Sequence, residues 1–270
     1  MAKIHKFMAL SATPIFLFFS GCSSSSVQSN ADIKATGSES VDVGYQLEMP
    51  EEGEDIAVIK TNMGTMKLRL FEKEAPKACE NFKTLAKDGF YNGIIFHRVI
   101  KNFMIQTGDP NGDGTGGKSI WDKPFKDEFS DHLFNITYSV AMANRGKNTN
   151  ESQFFINQGG KDSFIGFDRF SKAYEAYKKD PETFTNEYGS IIDMSKFNDR
   201  IKDLYNENGG NPHLDGFYST TGNGHTVFAQ VFDGKDVVDS IASVKTNGSD
   251  RPIKDIVIKK IDIVKYKKQF

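Results

Sequence analysis

Apolar and polar positions alternate through Ile56-Ala57-Val58-Ile59-Lys60-Thr61 and again through Met66-Lys67-Leu68-Arg69-Leu70. Between them lies Asn62-Met63-Gly64, so the pattern predicts a β-hairpin. The period then changes. Ala78, Cys79, Phe82, Leu85 and Ala86 recur at helical spacing, with Pro76 suited to a first turn and Gly89 to a stop. Strand-like runs return at 94–99, 103–107, 138–142, 154–157 and 227–232. A second helix is predicted over 235–242 and a last strand over 256–264. Many short strands with only these two helices among them predict a mainly β fold, a closed antiparallel barrel capped by helices. The stretch 160–211 breaks the rhythm: it is polar, rich in Lys, Asp, Tyr and Phe, and helically spaced over 171–179 and 194–206. It reads as a helical insertion in a loop, too short for a core of its own.

Ahead of the hairpin the pattern is of another kind. Lys3, His5 and Lys6 give a basic start, and 7–19 form an apolar run too short to span a bilayer comfortably. It ends in Phe19-Ser20-Gly21-Cys22. Small residues before a cysteine resemble a bacterial lipoprotein signal, with 1–21 removed and the Cys22 thiol acylated; the alternative is an ordinary secretory signal with an incidental Cys22. Residues 22–54 carry Ser, Gly, Glu and Asp without periodicity and read as a flexible tether, about 30 Å end to end at ~5–6 Å × √n. The expectation is a domain over 55–266 held on the extracytoplasmic face of the cell membrane by a lipid anchor. Cys79 is then the one free thiol, so no intrachain disulfide forms, and its helical stripe makes it a small core residue.

A formal charge of -2 gives no nucleic-acid footprint. Two tempting motifs overlap after Asp109. Gly112-Asp113-Gly114-Thr115-Gly116-Gly117-Lys118-Ser119 has the letters of a phosphate loop, but Pro124 and its neighbours argue against the helix such a loop requires. Asp109-Pro110-Asn111-Gly112-Asp113-Gly114 starts like a calcium loop, yet its twelfth position is Ile120. The glycines are read as a tight loop. The five histidines show no metal spacing, and no cofactor or metal is expected.

The run from Phe96 to Asp109 carries the chemistry. Arg98 and Gln106 interrupt apolar strands beside Phe103 and Met104, a surface able to hold both a ring and a peptide bond. On a strand His97 and Arg98 face opposite sides. A lone arginine is ordinarily a surface residue paired with an acid; the segments that follow point elsewhere. With 96–117, 139–155 (including Asn148-Thr149-Asn150 and Ser152-Gln153-Phe154-Phe155), His213-Leu214-Asp215-Gly216 and His225-Thr226-Val227-Phe228, the chain resembles the cyclophilin family of peptidyl-prolyl cis–trans isomerases, and the surface lipoproteins of Gram-positive bacteria among them.

The resemblance implies a closed eight-stranded antiparallel β-barrel capped by two α-helices, interrupted here by the insertion at about 160–211. It implies Arg98 as the catalytic arginine. Phe103, Met104, Phe155, Leu214 and His225 match the wall of a proline pocket, with Phe228 deeper, and Gln106, Ala143, Asn144 and Gln153 match groups that hold substrate backbone. Three departures stand out: His213 replaces a tryptophan common in eukaryotic members, Arg145 and Glu151 replace small residues, and the insertion separates strands bearing site residues. The expected substrates are proline-containing exported polypeptides, met by a monomer. The alternative is a non-catalytic module that binds proline segments, or a surface interaction protein acting through the insertion.

Overall fold

The computed structural model describes residues 44–268. The expected signal, Cys22 and most of the tether lie outside them. Eight strands form one antiparallel sheet: β1 (Asp55–Thr61), β2 (Thr65–Leu70), β3 (Arg98–Ile100), β4 (Met104–Thr107), β5 (Ser139–Met142), β6 (Phe154–Asn157), β7 (Val227–Asp233) and β8 (Ile258–Lys265). Their order is β3-β4-β6-β5-β7-β2-β1-β8. The end strands β3 and β8 are not paired. The sheet closes instead between the residues ahead of β3 and the start of β8, where Phe96 N–H donates to Ile256 O, Ile258 N–H to Ile94 O and Gly93 N–H to Ile258 O. The strand predicted over 94–99 therefore shrinks to Arg98–Ile100 plus a single bridge at Ile95.

Cross-strand register sorts side chains onto two faces, because residues directly opposite point the same way. Val99, Ile105, Ile156, Val140 and Ala229 line up across β3, β4, β6, β5 and β7 and face the barrel interior. Phe228 joins that interior core, away from the pocket face where the resemblance set it deeper. Helix α1 (Pro76–Lys87) buries Ala78, Cys79, Phe82, Leu85 and Ala86 in the same core. From the far side α5 (Lys235–Ala242) adds Val237, Val238, Ile241 and Ala242. Burying a side chain the size of Phe82 stabilises the fold by roughly 1.5–3 kcal/mol. Burial pushes the Cys79 thiol far above its usual range, consistent with an inert core residue.

One expectation needs correction. The tether does not run to residue 54: by Gly44 the chain is packed on the domain. Gln46 is buried, donating to Phe134 O (2.9 Å) and Gln230 Oε1 (2.9 Å) and accepting from Phe134 N–H (2.8 Å). Tyr45 lies under the buried Arg69 guanidinium, 4.8 Å from its ring centre. A polar segment rich in Gly and acids looks like a linker because its anchoring bonds are all to distant residues.

The insertion, for its part, does share a core. It folds into α2 (Asp168–Tyr177), α3 (Pro181–Tyr188) and α4 (Asp199–Asn208), of which α3 fell outside the helically spaced runs. Pro181 at its first turn and the Asp180 cap, which accepts from Thr183 N–H (3.1 Å), account for it. Ile192, Phe197, Ile201, Leu204 and Tyr205 pack with Phe134, Ile136 and Tyr218 from outside the insertion. The insertion alone lacks apolar surface for a core, but the flanking chain supplies the other half.

Candidate functional site

The second face of the sheet carries the site. Arg98 stands opposite Gln106, Gln106 opposite Phe155, Phe155 opposite Ala141, and Ala141 opposite Val227. One register row thus sets a cation, an amide and an aromatic ring side by side. One residue pair along, Met104 follows opposite Ile100. Met104, Phe155, Ala141 and Val227 are buried together with Phe71 and Leu133, and Phe103, Ala143, Leu214 and Ile100 pack against them half-exposed. The result is an apolar patch with a firm floor and an open rim.

Around the rim the remaining groups are fixed by hydrogen bonds. The His225 ring meets Phe155 edge-on at 5.1 Å, and its Nδ1 lies 2.9 Å from Met142 O. Burial holds His225 below the usual imidazole range, so it is neutral at pH 7, donating from Nδ1 to that carbonyl. Leu214 donates its N–H to Asn211 O (2.9 Å) and accepts from His225 N–H (2.9 Å). His213 is exposed and stacks on Phe103 at 6.1 Å.

Gln106 Nε2 donates to Gln153 Oε1 (2.9 Å), and Gln153 Nε2 donates to Gly114 O (3.1 Å) and Gly116 O (2.7 Å). This gives the glycine-rich loop a structural role. Its N–H groups at Asn111, Asp113 and Gly114 converge on the Asp109 carboxylate, and no helix begins at Lys118. The loop is a bracket for Gln153. A Cβ on Gly108, at φ 86°, would meet the backbone of Ser152 and Gln153, so glycine is required where the loop leaves β4.

Asn144 differs from what its side chain suggested. Its Nδ2 donates to Gly224 O (2.8 Å) and its Oδ1 accepts from Gly146 N–H (3.2 Å). Among the described residues no backbone hydrogen bond uses its main-chain N–H or C=O. The main chain at Asn144, then, is what is left to meet an extended polypeptide. Gln106, Ala143, Asn144 and Gln153 line a small cleft of about 70 Å³ with Arg145 and Glu151, whose ion pair measures 2.6 Å.

Arg98 is half-exposed, and Asp250 is its ion-pair partner, with Nε 3.7 Å from Oδ2. That is beyond hydrogen-bonding reach. The surface pairing that a lone arginine suggests is present, yet it is loose, and the donors remain available beside Gln106. His97, on the opposite face, is buried with neither ring nitrogen partnered among the described residues, and burial lowers its pKa.

All ten positions named from the sequence, Arg98, Phe103, Met104, Gln106, Ala143, Asn144, Gln153, Phe155, Leu214 and His225, come together at this one patch. Sequence reading missed Phe71, Leu133, Ala141 and Val227 beneath it and Asp250 beside Arg98. Period-two alternation from Phe155 and Ala143 would have pointed to Ala141; nothing local marks Asp250.

Comparison with known proteins agrees with this fold. Residues 56–263 match the sequence family described as cyclophilin type peptidyl-prolyl cis-trans isomerase/CLD. A Staphylococcus aureus protein, provisionally named a peptidyl-prolyl cis-trans isomerase, is 41% identical over 213 residues, covering 79% of this chain and 93% of that one. A Streptococcus pyogenes protein, provisionally named a bifunctional phosphatase/peptidyl-prolyl cis-trans isomerase, is 42% identical over 220 residues. That match takes in 81% of this chain but spans only 40% of the streptococcal protein.

Among solved structures, a cyclophilin type peptidyl-prolyl cis-trans isomerase from Cryptosporidium parvum aligns with a TM-score of 0.56 at 28% identity, covering 79% of this chain and 99% of that one. The same parasite protein in the presence of the dipeptide Ala-Pro gives 0.55, with 78% and 99% covered. The chain belongs to the cyclophilin-type peptidyl-prolyl cis-trans isomerase family.

Proposed function

We propose that this chain catalyses rotation about X–Pro bonds of exported polypeptides, with Arg98 as the catalytic residue. The observation that carries the reading is the register row, which sets Arg98 beside Gln106 and Phe155 above a buried apolar floor. An Ala-Pro dipeptide accompanies one structure of the parasite relative, and an X–Pro unit is what this patch suits.

Resonance in the peptide bond sets a rotational barrier of about 18–20 kcal/mol. At the twisted transition state that resonance is lost, and the proline nitrogen becomes pyramidal with a lone pair that accepts a hydrogen bond. In the planar substrate the pair is delocalised and accepts poorly. A guanidinium aimed at the nitrogen therefore binds the transition state more strongly than the ground state, which lowers the barrier. Arginine keeps its charge and presents several donors in a fixed plane. Met104, Phe155, Leu214, Phe103 and His225 hold the ring still while the preceding carbonyl swings. Gln106, Gln153 and the main chain at Ala143 and Asn144 hold the flanking backbone. No bond is made or broken, so the step itself calls for no nucleophile.

The test is a protease-coupled isomerisation assay on a chromogenic Ala-Pro tetrapeptide. Arg98→Ala should lower kcat/KM by more than tenfold, equivalent to at least about 1.4 kcal/mol of transition-state stabilisation, with the fold intact. Unchanged catalysis would remove Arg98 from the mechanism, and tight peptide binding without turnover in wild type would favour the binding-module reading.

The place of action belongs to the same proposal. The basic start, the short apolar run and Cys22 support a chain acylated at Cys22 and held on the extracytoplasmic face, acting as a monomer on emerging polypeptides. Mass spectrometry of protein from a lipoprotein-processing bacterium should find the mature chain starting at a diacylated Cys22. A mature N-terminus elsewhere would overturn the anchor.

A further inference from the structure

A chain of buried amides and one carboxyl group runs from the insertion to both walls of the proline pocket. Tyr205, on α4, donates its hydroxyl to Asp215 Oδ2 at 2.5 Å. Asp215 Oδ1 accepts from Asn135 N–H (2.8 Å) and Asn135 Nδ2 (2.9 Å). Asn157 Nδ2 donates to Asn135 Oδ1 (3.0 Å), and Asn211 Nδ2 donates both to Asn157 Oδ1 (2.8 Å) and to the backbone oxygen of Phe103 (3.2 Å). Asn211 O in turn accepts from Leu214 N–H. Tyr205 and Asn157 are 0% exposed, Asp215 4% and Asn211 7%.

Both ends of this chain are therefore defined. One end is an insertion side chain; the other is the backbone of Phe103 and Leu214, two walls of the pocket. Asp215 itself follows Leu214 directly, so its anchorage fixes where Leu214 stands. These donors and acceptors are buried from bulk solvent, and a buried polar group that loses its partner drags on its neighbours.

We propose that Tyr205 is a positioning residue for the proline pocket, so that the insertion braces the Leu214 and Phe103 walls through the buried Asp215–Asn135–Asn157–Asn211 chain. The insertion is then a working part of the isomerase rather than a tolerated loop. Since Arg98 lies on the far strand of the site and is not in the chain, bracing should govern how well the ring is held, not the chemistry of rotation. The inference rests on the isomerase reading above.

The experiment separates the two. Wild type and Arg98→Ala first establish turnover of the Ala-Pro tetrapeptide; absence of turnover fails the isomerase reading and leaves the brace to be judged by peptide affinity. Tyr205→Phe, which keeps the ring and removes only the donor, should raise KM about three- to tenfold, or weaken peptide binding equally, with kcat within twofold of wild type. Ile201→Ala, on the same helix and in the same apolar cluster but outside the polar chain, should lower the melting temperature and leave KM unchanged. Should Tyr205→Phe fail to fold, Asp215→Ala removes the acceptor of the same link and should raise KM likewise. An unchanged KM in the folded variant, a KM rise in Ile201→Ala as large as in Tyr205→Phe, a fall in kcat at constant KM, or failure of both polar variants to fold would each overturn the proposal.

Discussion

Among the described residues Arg98 has no close partner: its acid neighbour sits 3.7 Å away and both side chains are substantially exposed. An exposed, loosely paired ion pair contributes about 0–1 kcal/mol and is screened by salt. Arg98 is held in place by strand register, not by Asp250. Accordingly, Asp250→Asn should shift the urea midpoint negligibly and keep kcat/KM within about threefold of wild type. A loss approaching that of Arg98→Ala would show instead that Asp250 aims the guanidinium. The same scale explains what was readable at Asn144. Its place in the site followed from the resemblance, but which of its atoms are free did not. Only the folded turn shows the side-chain amide committed to Gly224 and Gly146 while the main chain stays open.

At the scale of elements, helix α1 shows how local pattern and distant contact divide the work. Its apolar stripe and Pro76 are written in the sequence, and the helix forms over Pro76–Lys87 as the spacing predicts. Its N-terminus, though, has no capping side chain of its own. Glu128, far along the chain, accepts from Lys77 N–H (3.1 Å) and Ala78 N–H (3.0 Å), placing a negative charge at the positive end of the helix. Glu128→Ala should cost about 1 kcal/mol, within the usual range for lost caps, read as a lower urea midpoint with an unchanged slope. A variant as stable as wild type would mean water satisfies those amides equally well. Strands obey the same division. Strand-like runs located β4, β5 and β6, whereas the brevity of β3 and the closure through Ile94 and Ile256 depend on how the two sheet ends meet.

For the molecule as a whole, two buried titratable groups pull stability in opposite directions with pH. Burial raises the Asp215 carboxyl from its ordinary range to about 7, against the pull of Tyr205 and Asn135, whose donors favour the charged form. The folded chain thus keeps a proton on Asp215 that the unfolded chain releases near pH 4. Asp215's contribution is complete below about pH 4 and is lost as pH rises towards 7, by up to about 1.4 kcal/mol per pH unit. His97 has the reverse sign. Its folded-state pKa is lowered, so the fold resists protonation and loses stability as pH falls below about 6.5. Comparing wild type with Asp215→Asn isolates the first effect: between pH 4.5 and 7 the urea midpoint of wild type should fall relative to that of the variant. Parallel midpoints across that range would mean Asp215 is ionised in the folded protein.

Taken alone, the sequence marked most of the local elements and the residues that the fold brings together at the patch. Period two and period 3.6 are imposed by backbone geometry, so alternation, Pro76 and Gly89 located strands and helix without knowledge of neighbours. The cluster of Arg98, Gln106, Gln153, Phe155 and their companions was legible because those residues sit in short recognisable runs. Tertiary structure alone decided what depends on contacts between distant segments. The chain folds back by Gly44, since Gln46 finds Phe134 and Gln230; the glycine loop brackets Gln153; and the insertion shares a core with Phe134 and Tyr218. The link from Tyr205 through Asp215 to the pocket walls is of this kind too, because a buried hydrogen bond is specified by where both partners end up and leaves no period in either stretch of chain.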